Sequence, residues 1–258
     1  DEFSEIGQSW GLPPYDWAAL EAEQHAWLRA RAAHAARLYH GFRLDHVVGY
    51  FRQYVRKGEA LGEFDPKDEG DQESHGRRVL AAMREAAQQT EIIVEDLGVI
   101  PQFVRRALAE MSLPGYKILP WEKEADQTMR NPAEFPEISV ASYSTHDTPP
   151  LLAFYDSLPE RDRASLAALA KTTLDAPEAE RERALLRLLF SARSALTMVL
   201  VTEIFGERAR INTPNSVGEH NWSYRIPSPV ERLEIDPKLR ARLELFGAML
   251  RDAGRAPV

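Results

Sequence analysis

The sequence contains no cysteine. Disulfides and thiolate metal sites are therefore excluded, and a reducing compartment fits the composition. No apolar run approaches the roughly 20 residues that span a bilayer, and no signal peptide is visible. Positive charge is in short supply: 32 lysines and arginines face 40 acids, for a net charge of -8. That balance argues against non-specific nucleic-acid binding. There is no internal repeat, no low-complexity tract, and no clustered Asp/Asn loop of the calcium-binding kind. The expectation is a cytoplasmic protein with no nucleic-acid partner, no membrane partner and no metal.

What is present is ordinary globular material. Of the 258 residues, 44% are hydrophobic and 28% charged, enough for a large domain with a real core. Residues 1–16 are rich in Gly, Pro and aromatics and read as a shaped loop. Apolar residues from Trp17 to about Tyr39 recur at helical spacing, and Gly41 ends that run. GFRLDH then reads as a short strand ending at Asp45, followed by an apolar helix over about 47–55. The polar, acidic, Gly-rich segment 57–74 reads as a loop, and 76–89 as a helix.

EIIVEDLG is the clearest strand: Ile92, Ile93 and Val94 form a β-branched run cut off by Glu95, Asp96 and Gly98. Pro101 suits the first turn of a helix over about 101–111. GYKILPWE and EISVASYS are further strands, the second leading into THDTPP. Residues 150–205 are mostly helical, although ALTMVLVTEIF is ambiguous, with a buried strand near 198–203. A loop, INTPNSVGEHNWSYRIPSP, precedes a closing helix near 237–252. Strands alternating with helices argue a parallel sheet. About five strands are counted, whereas a full (β/α)8 barrel has eight in about 250 residues.

Three strands lead to an acid: Asp45 after FRL, Glu95 after IIV and Asp147 after VASYSTH. In barrel enzymes the C-terminal ends of strands carry the catalytic groups. A pair of carboxylates is what glycoside chemistry requires, one attacking the anomeric carbon and one protonating the leaving oxygen. A third could stabilise the oxocarbenium-like transition state. Each acid also has a plainer reading. Asp45 suits a helix cap, Glu95 and Asp96 an acidic turn, and Asp147, before Pro149 and Pro150, another cap. A cap does not require Arg43, however. Residues two apart on a strand share a face, so Arg43 would lie beside Asp45 as a charge partner, which suits a carboxylate nucleophile.

FRLDH, IIVEDLG and STHD, in that order, resemble the nucleophile, acid/base and third-acid motifs of the α-amylase superfamily. GQSWGLPPYDW, EDLGVIP followed by LPGYK, and INTPNSVGEHNW narrow the resemblance to the amylomaltases, or 4-α-glucanotransferases. The similarity runs from about Glu2 to about Arg225. It implies transfer of α-1,4-glucan segments between maltooligosaccharides by double displacement, with no cofactor. Asp45 would be the nucleophile, Glu95 the general acid/base and Asp147 the transition-state stabiliser. Arg43 and His146 would hold substrate hydroxyls, Trp10 would sit on the rim where glucan docks, and Asn212, Asn221 and Trp222 would lie near the cleft. The same acids with water as acceptor would make an α-glucan hydrolase. A folded chain that only binds glucan is the non-enzymatic alternative.

Members of that family begin well before the GQxWG motif. The resemblance therefore implies that residues 1–258 are the C-terminal part of a single catalytic barrel, about strands 4 to 8 with their helices. The N-terminal strands would be missing, leaving open parallel edges. Self-association, pairing with a missing fragment, or partial stability would follow. The acidic stretch 56–76 also departs from the family pattern.

Overall fold

The computed structural model describes residues 11–58, 60–226, 228–233 and 235–255. The chain divides into two compact units, Asp1–Tyr116 and Lys117–Val258.

The first unit opens with two helices where helical spacing suggested one. Helix α1 spans Trp17–Ala22 and α2 spans Ala26–Leu38. Asp16 starts α1 by accepting the Ala19 N–H at 2.9 Å, a side-chain N-cap. The break comes from Gln24 and His25, both at positive φ, which resets the helical phase. Leu28 and Ala32 then face the core while Trp27 is left half exposed.

Strand β1 covers Gly41–Leu44. The helix anticipated over 47–55 is instead a 3-10 turn, Val47–Tyr50, followed by strand β2, Gln53–Val55. The anticipated loop holds β3, Glu63–Asp65, antiparallel to β2 with Tyr54 opposite Phe64. Those rings lie 5.3 Å apart edge to face, a cross-strand pair of the kind that stabilises hairpins. Helix α3 spans Glu69–Ala87 and starts earlier than its apolar pattern does. Its polar first turns are useful there: Glu69 and Asp71 complement the helix N-terminus, and buried Gln72 donates to the Pro66 carbonyl at 2.8 Å.

Strand β4, Glu91–Val94, helix α4, Gln102–Glu110, and strand β5, Gly115–Ile118, follow as anticipated. β1 and β4 are parallel, with Gly41 opposite Glu91 and Leu44 opposite Val94, and β4 is parallel to β5 with Val94 opposite Gly115. The core of this unit includes Val47, Phe51, Val79, Met83, Val94, Val104 and Leu108.

In the second unit β6, Ser139–Ser142, is buried along its whole length. Helices α5 (Leu151–Ser157), α6 (Glu160–Leu169) and α7 (Glu178–Phe190) lead to β7, Leu196–Met198, parallel to β6 with Val140 opposite Leu196. The ambiguous run thus splits into strand β7 and the short helix α8, Val201–Ile204, and α9 closes the unit over Pro237–Asp252. Tyr143, Leu151, Tyr155, Leu185, Leu189, Phe246 and Met249 form its core. Among the described residues the parallel strands number five, as read from the sequence; the β2–β3 hairpin is additional.

Candidate active site

In the first unit, register does the positioning. Leu44 is opposite Val94, so the next residue on each strand is an acid, Asp45 beside Glu95. Neighbouring strands run about 4.8 Å apart. The backbone continues the alignment past the strands: the Glu95 N–H donates to the Leu44 carbonyl at 2.8 Å, and the Val47 N–H to the Glu95 carbonyl at 2.9 Å.

Arg43 serves both acids. Its Nη1 lies 2.6 Å from Asp45 Oδ1, and its Nη2 lies 4.0 Å from Glu95 Oε2. The same guanidinium sits 5.9 Å from the centre of the Tyr116 ring, within cation–π range. Burial, the largest effect, raises the Tyr116 hydroxyl; Arg43 pulls it down and Glu95 pushes it up. Glu95 Oε2 also accepts the His46 N–H at 2.7 Å, with His46 turned to φ +46°. The two carboxylates differ in access: the Asp45 side chain is 77% exposed and that of Glu95 14%. Asp96 faces inward and accepts the Tyr116 N–H at 2.7 Å. One acid of the Glu95–Asp96 pair thus serves the strand end while the other locks β5.

In the second unit, Asp147 follows β6 on the segment Ser144–Leu151. Its Oδ1 accepts from Asn212 Nδ2 at 2.6 Å, and its Oδ2 lies 3.3 Å from His146 Nε2. The backbones join as well: the Asn212 N–H donates to the His146 carbonyl at 3.0 Å. Trp222, at φ +58°, places its exposed ring 5.4 Å from the His146 ring. Asn221 is turned inward on its own loop. Its Oδ1 accepts the Thr213 N–H at 2.8 Å, and its Nδ2 donates to the Ser216 carbonyl at 2.9 Å. Asn221 therefore shapes the loop that carries Asn212 and Trp222. Trp10 lies outside the described residues.

Three residues escaped the sequence reading. Tyr116 was legible in principle, because Gly115 pairs with Val94 and puts Tyr116 level with Glu95. Arg210 donates to the Asp147 carbonyl at 2.6 Å and to the Asn212 carbonyl at 3.2 Å, with no spacing signal to announce it. Glu203 is buried and accepts three hydrogen bonds, from Ser144 Oγ, the Leu151 N–H and the Leu200 N–H. Burial raises its carboxyl above the usual range, against the opposing pull of those donors. Among the described residues no group of three or more His, Asp or Glu is placed to hold a metal, and no helix is long and apolar enough to cross a membrane.

Comparison with known proteins places these residues in context. The family model described as 4-alpha-glucanotransferase matches residues 1–231. The 4-alpha-glucanotransferase of Chlamydia pneumoniae is 30% identical over 257 residues, covering 95% of this chain and 48% of that protein. The chloroplastic/amyloplastic 4-alpha-glucanotransferase of Solanum tuberosum is 28% identical over 259 residues, covering 96% and 43%. The chain thus spans about half the length of the curated relatives it matches. Among solved structures, amylomaltase from Streptococcus agalactiae in complex with acarbose aligns over 100% of this chain and 50% of its own, with TM-score 0.81 and 24% identity. That likeness shows the fold, a partial α/β barrel, as expected from the sequence.

Proposed function

We propose that this chain, which belongs to the 4-alpha-glucanotransferase family, carries the acids of a retaining transfer of α-1,4-glucan segments. The observation that carries the reading is the shared Arg43: one guanidinium stands 2.6 Å from Asp45 and 4.0 Å from Glu95 at adjacent parallel strand ends. Two acids side by side on neighbouring strands are the kind of pair that retaining enzymes use, with carboxyls about 5–5.5 Å apart.

In this reading Asp45, the more open acid, attacks the anomeric carbon of the donor glucan. Glu95, as an acid, gives its proton to the departing glycosidic oxygen, and the chain beyond the cleaved bond leaves. A covalent glycosyl ester on Asp45 remains. Glu95, now a carboxylate, removes the proton from the acceptor's 4-hydroxyl as that oxygen attacks the same carbon. Two inversions restore the α configuration and free Asp45. Asp147 is assigned the third role by the STHD motif: held by Asn212 and His146, it stabilises the positive charge of the transition state. Arg43, His146 and Asn212 are assigned to substrate hydroxyls, and Trp10 and Trp222 to sugar faces. Asn221 supports its loop.

The test is incubation with maltotriose and chromatography of the products, beside an Asp45→Asn control. A ladder of longer maltooligosaccharides plus glucose, lost in the control, supports transfer by a site within these residues. Glucose and maltose without longer products favour hydrolysis. A folded chain that retains maltooligosaccharides on an affinity gel without turnover overturns catalysis by this chain.

A further inference from the structure

We propose that Glu203 is a positioning residue for Asp147: one buried carboxylate oxygen ties together the two ends of the segment that presents the acid. This rests on the assignment of Asp147 as the third acid, and it stands on contacts within the second unit.

The Ser144–Leu151 segment leaves β6 and enters α5. Glu203 Oε1 accepts from the Ser144 hydroxyl at one end and from the Leu151 N–H, at 2.8 Å, at the other. Glu203 is only 3% exposed, so both bonds are made away from water and leaving either unmade is costly. Its Oε2 accepts the Leu200 N–H at 2.8 Å. The Glu203 carbonyl takes a bond from Arg242 at 2.7 Å, and Arg242 also forks onto Glu182 at 2.7 Å through both nitrogens. The Glu203 backbone is thereby held by Arg242 of α9, itself paired with Glu182 of α7, which gives the carboxylate a support outside the segment it grips.

The chemistry at the start of α5 explains why such a grip exists. Pro149 and Pro150 offer no N–H, so Leu151 is the first donor of the helix. Pro150 stands at the N-cap and supplies no side-chain acceptor. A nearby acid on the segment would ordinarily fill that role, and Asp147 is the acid at hand. Here Glu203, 52 residues away, caps the helix instead. The Asp147 carboxylate is left to Asn212 and His146. Within the segment, the Thr148 N–H donates to the Thr145 carbonyl at 3.1 Å and the Asp147 N–H to Thr145 Oγ1 at 3.2 Å. Fixing the two ends therefore fixes the turn that aims Asp147.

The test compares Glu203→Met, Glu203→Gln and Ser144→Ala in the full chain. Methionine keeps the volume without acceptors, whereas glutamine keeps one oxygen for Ser144 and Leu151. In Glu203→Met, the amides of residues 145–148 and 151 should exchange hydrogen about tenfold faster or more, while those of α7 change by less than about twofold. Glu203→Gln should recover most of the protection, which a residue that merely fills space would not require. With maltotriose as substrate, kcat of Glu203→Met should fall about tenfold with KM within about twofold. Unchanged exchange in Glu203→Met, or a loss spread evenly over α7 and α9, overturns the proposal. If Glu203→Met does not fold, Ser144→Ala decides: faster exchange confined to 145–151 supports the role, and unchanged exchange overturns it. An Asp147→Asn variant with wild-type turnover would instead overturn the assignment of Asp147, while the exchange result would still decide whether Glu203 positions the segment.

Discussion

Arg43 Nη1 lies 2.6 Å from Asp45 Oδ1 on the same strand end. The Asp45 side chain is 77% exposed, and exposed ion pairs contribute little to stability, about 0–1 kcal/mol. Thermodynamic support of the fold is therefore a poor account of the pair, and placement of the carboxylate is a better one.

Arg43→Ala should accordingly leave thermal stability nearly unchanged, by ~0.5 kcal/mol or less, while lowering turnover of maltotriose about a hundredfold or more. Arg43→Lys should recover only part of that loss, because a point charge cannot reach Asp45 and Glu95 as the planar fork does. Melting curves and initial rates check both statements. A wild-type rate in Arg43→Ala would remove the reason for placing this residue in the site.

Asn212 donates from Nδ2 to Asp147 Oδ1 at 2.6 Å. Asn212→Ala removes a bond to a carboxylate worth about 1.5 kcal/mol, and the rate should drop about tenfold. Asn212→Asp should be worse than Asn212→Ala, since it sets a second negative charge against Asp147. Rates for the two variants, measured side by side, give the ranking; the reverse order would contradict it.

Gly76 on α3 faces Phe51. A Cβ at this position would lie 2.2 Å from the ring, and both residues belong to a packed interior. Gly76→Ala should destabilise the chain by about 1–3 kcal/mol, against the usual gain from alanine in a helix. Urea unfolding gives the value, and a stabilised variant would show that the helix can shift at no cost.

His25 and His75 are both buried and both held below the ordinary histidine value of 6.5. Burial is the main cause for each. Arg78 adds to it for His75, whereas Glu21 opposes it for His25. The His75 ring packs edge-on against Trp17 at 4.6 Å, and its Nε2 has no hydrogen-bond partner among the described residues. As pH falls through 6.5 the unfolded chain takes up protons first. The stability these residues contribute is complete above that value and is lost as pH falls toward their folded values. Urea midpoints should fall between about pH 7.5 and about pH 5.5. His75→Phe, which keeps the ring contact, should flatten the decline; an equal slope in the variant would refute the assignment.

The strand ends were legible because the chemistry there is abrupt. FRL and IIV are short apolar runs, and each stops at an acid. The break at Gln24–His25 was not legible, since apolar spacing continues across it. The β2–β3 hairpin was hidden because Tyr54 and Phe64 make sense only when paired across a turn. The early start of α3 was hidden because Gln72 is buried by a bond to the Pro66 carbonyl and not by apolarity. Glu203 lay inside an ambiguous apolar run, and its partners Ser144 and Leu151 are 59 and 52 residues away.

Local order along the chain determined which residues carry charge at the strand ends and which family the motifs belong to, because composition and short-range spacing need no partner to be read. Tertiary structure alone decided that Leu44 stands opposite Val94, that Arg43 serves two acids, and that Glu203 caps α5 in place of Asp147. Register and buried hydrogen bonds depend on which distant groups meet, and separation along the chain carries no record of that.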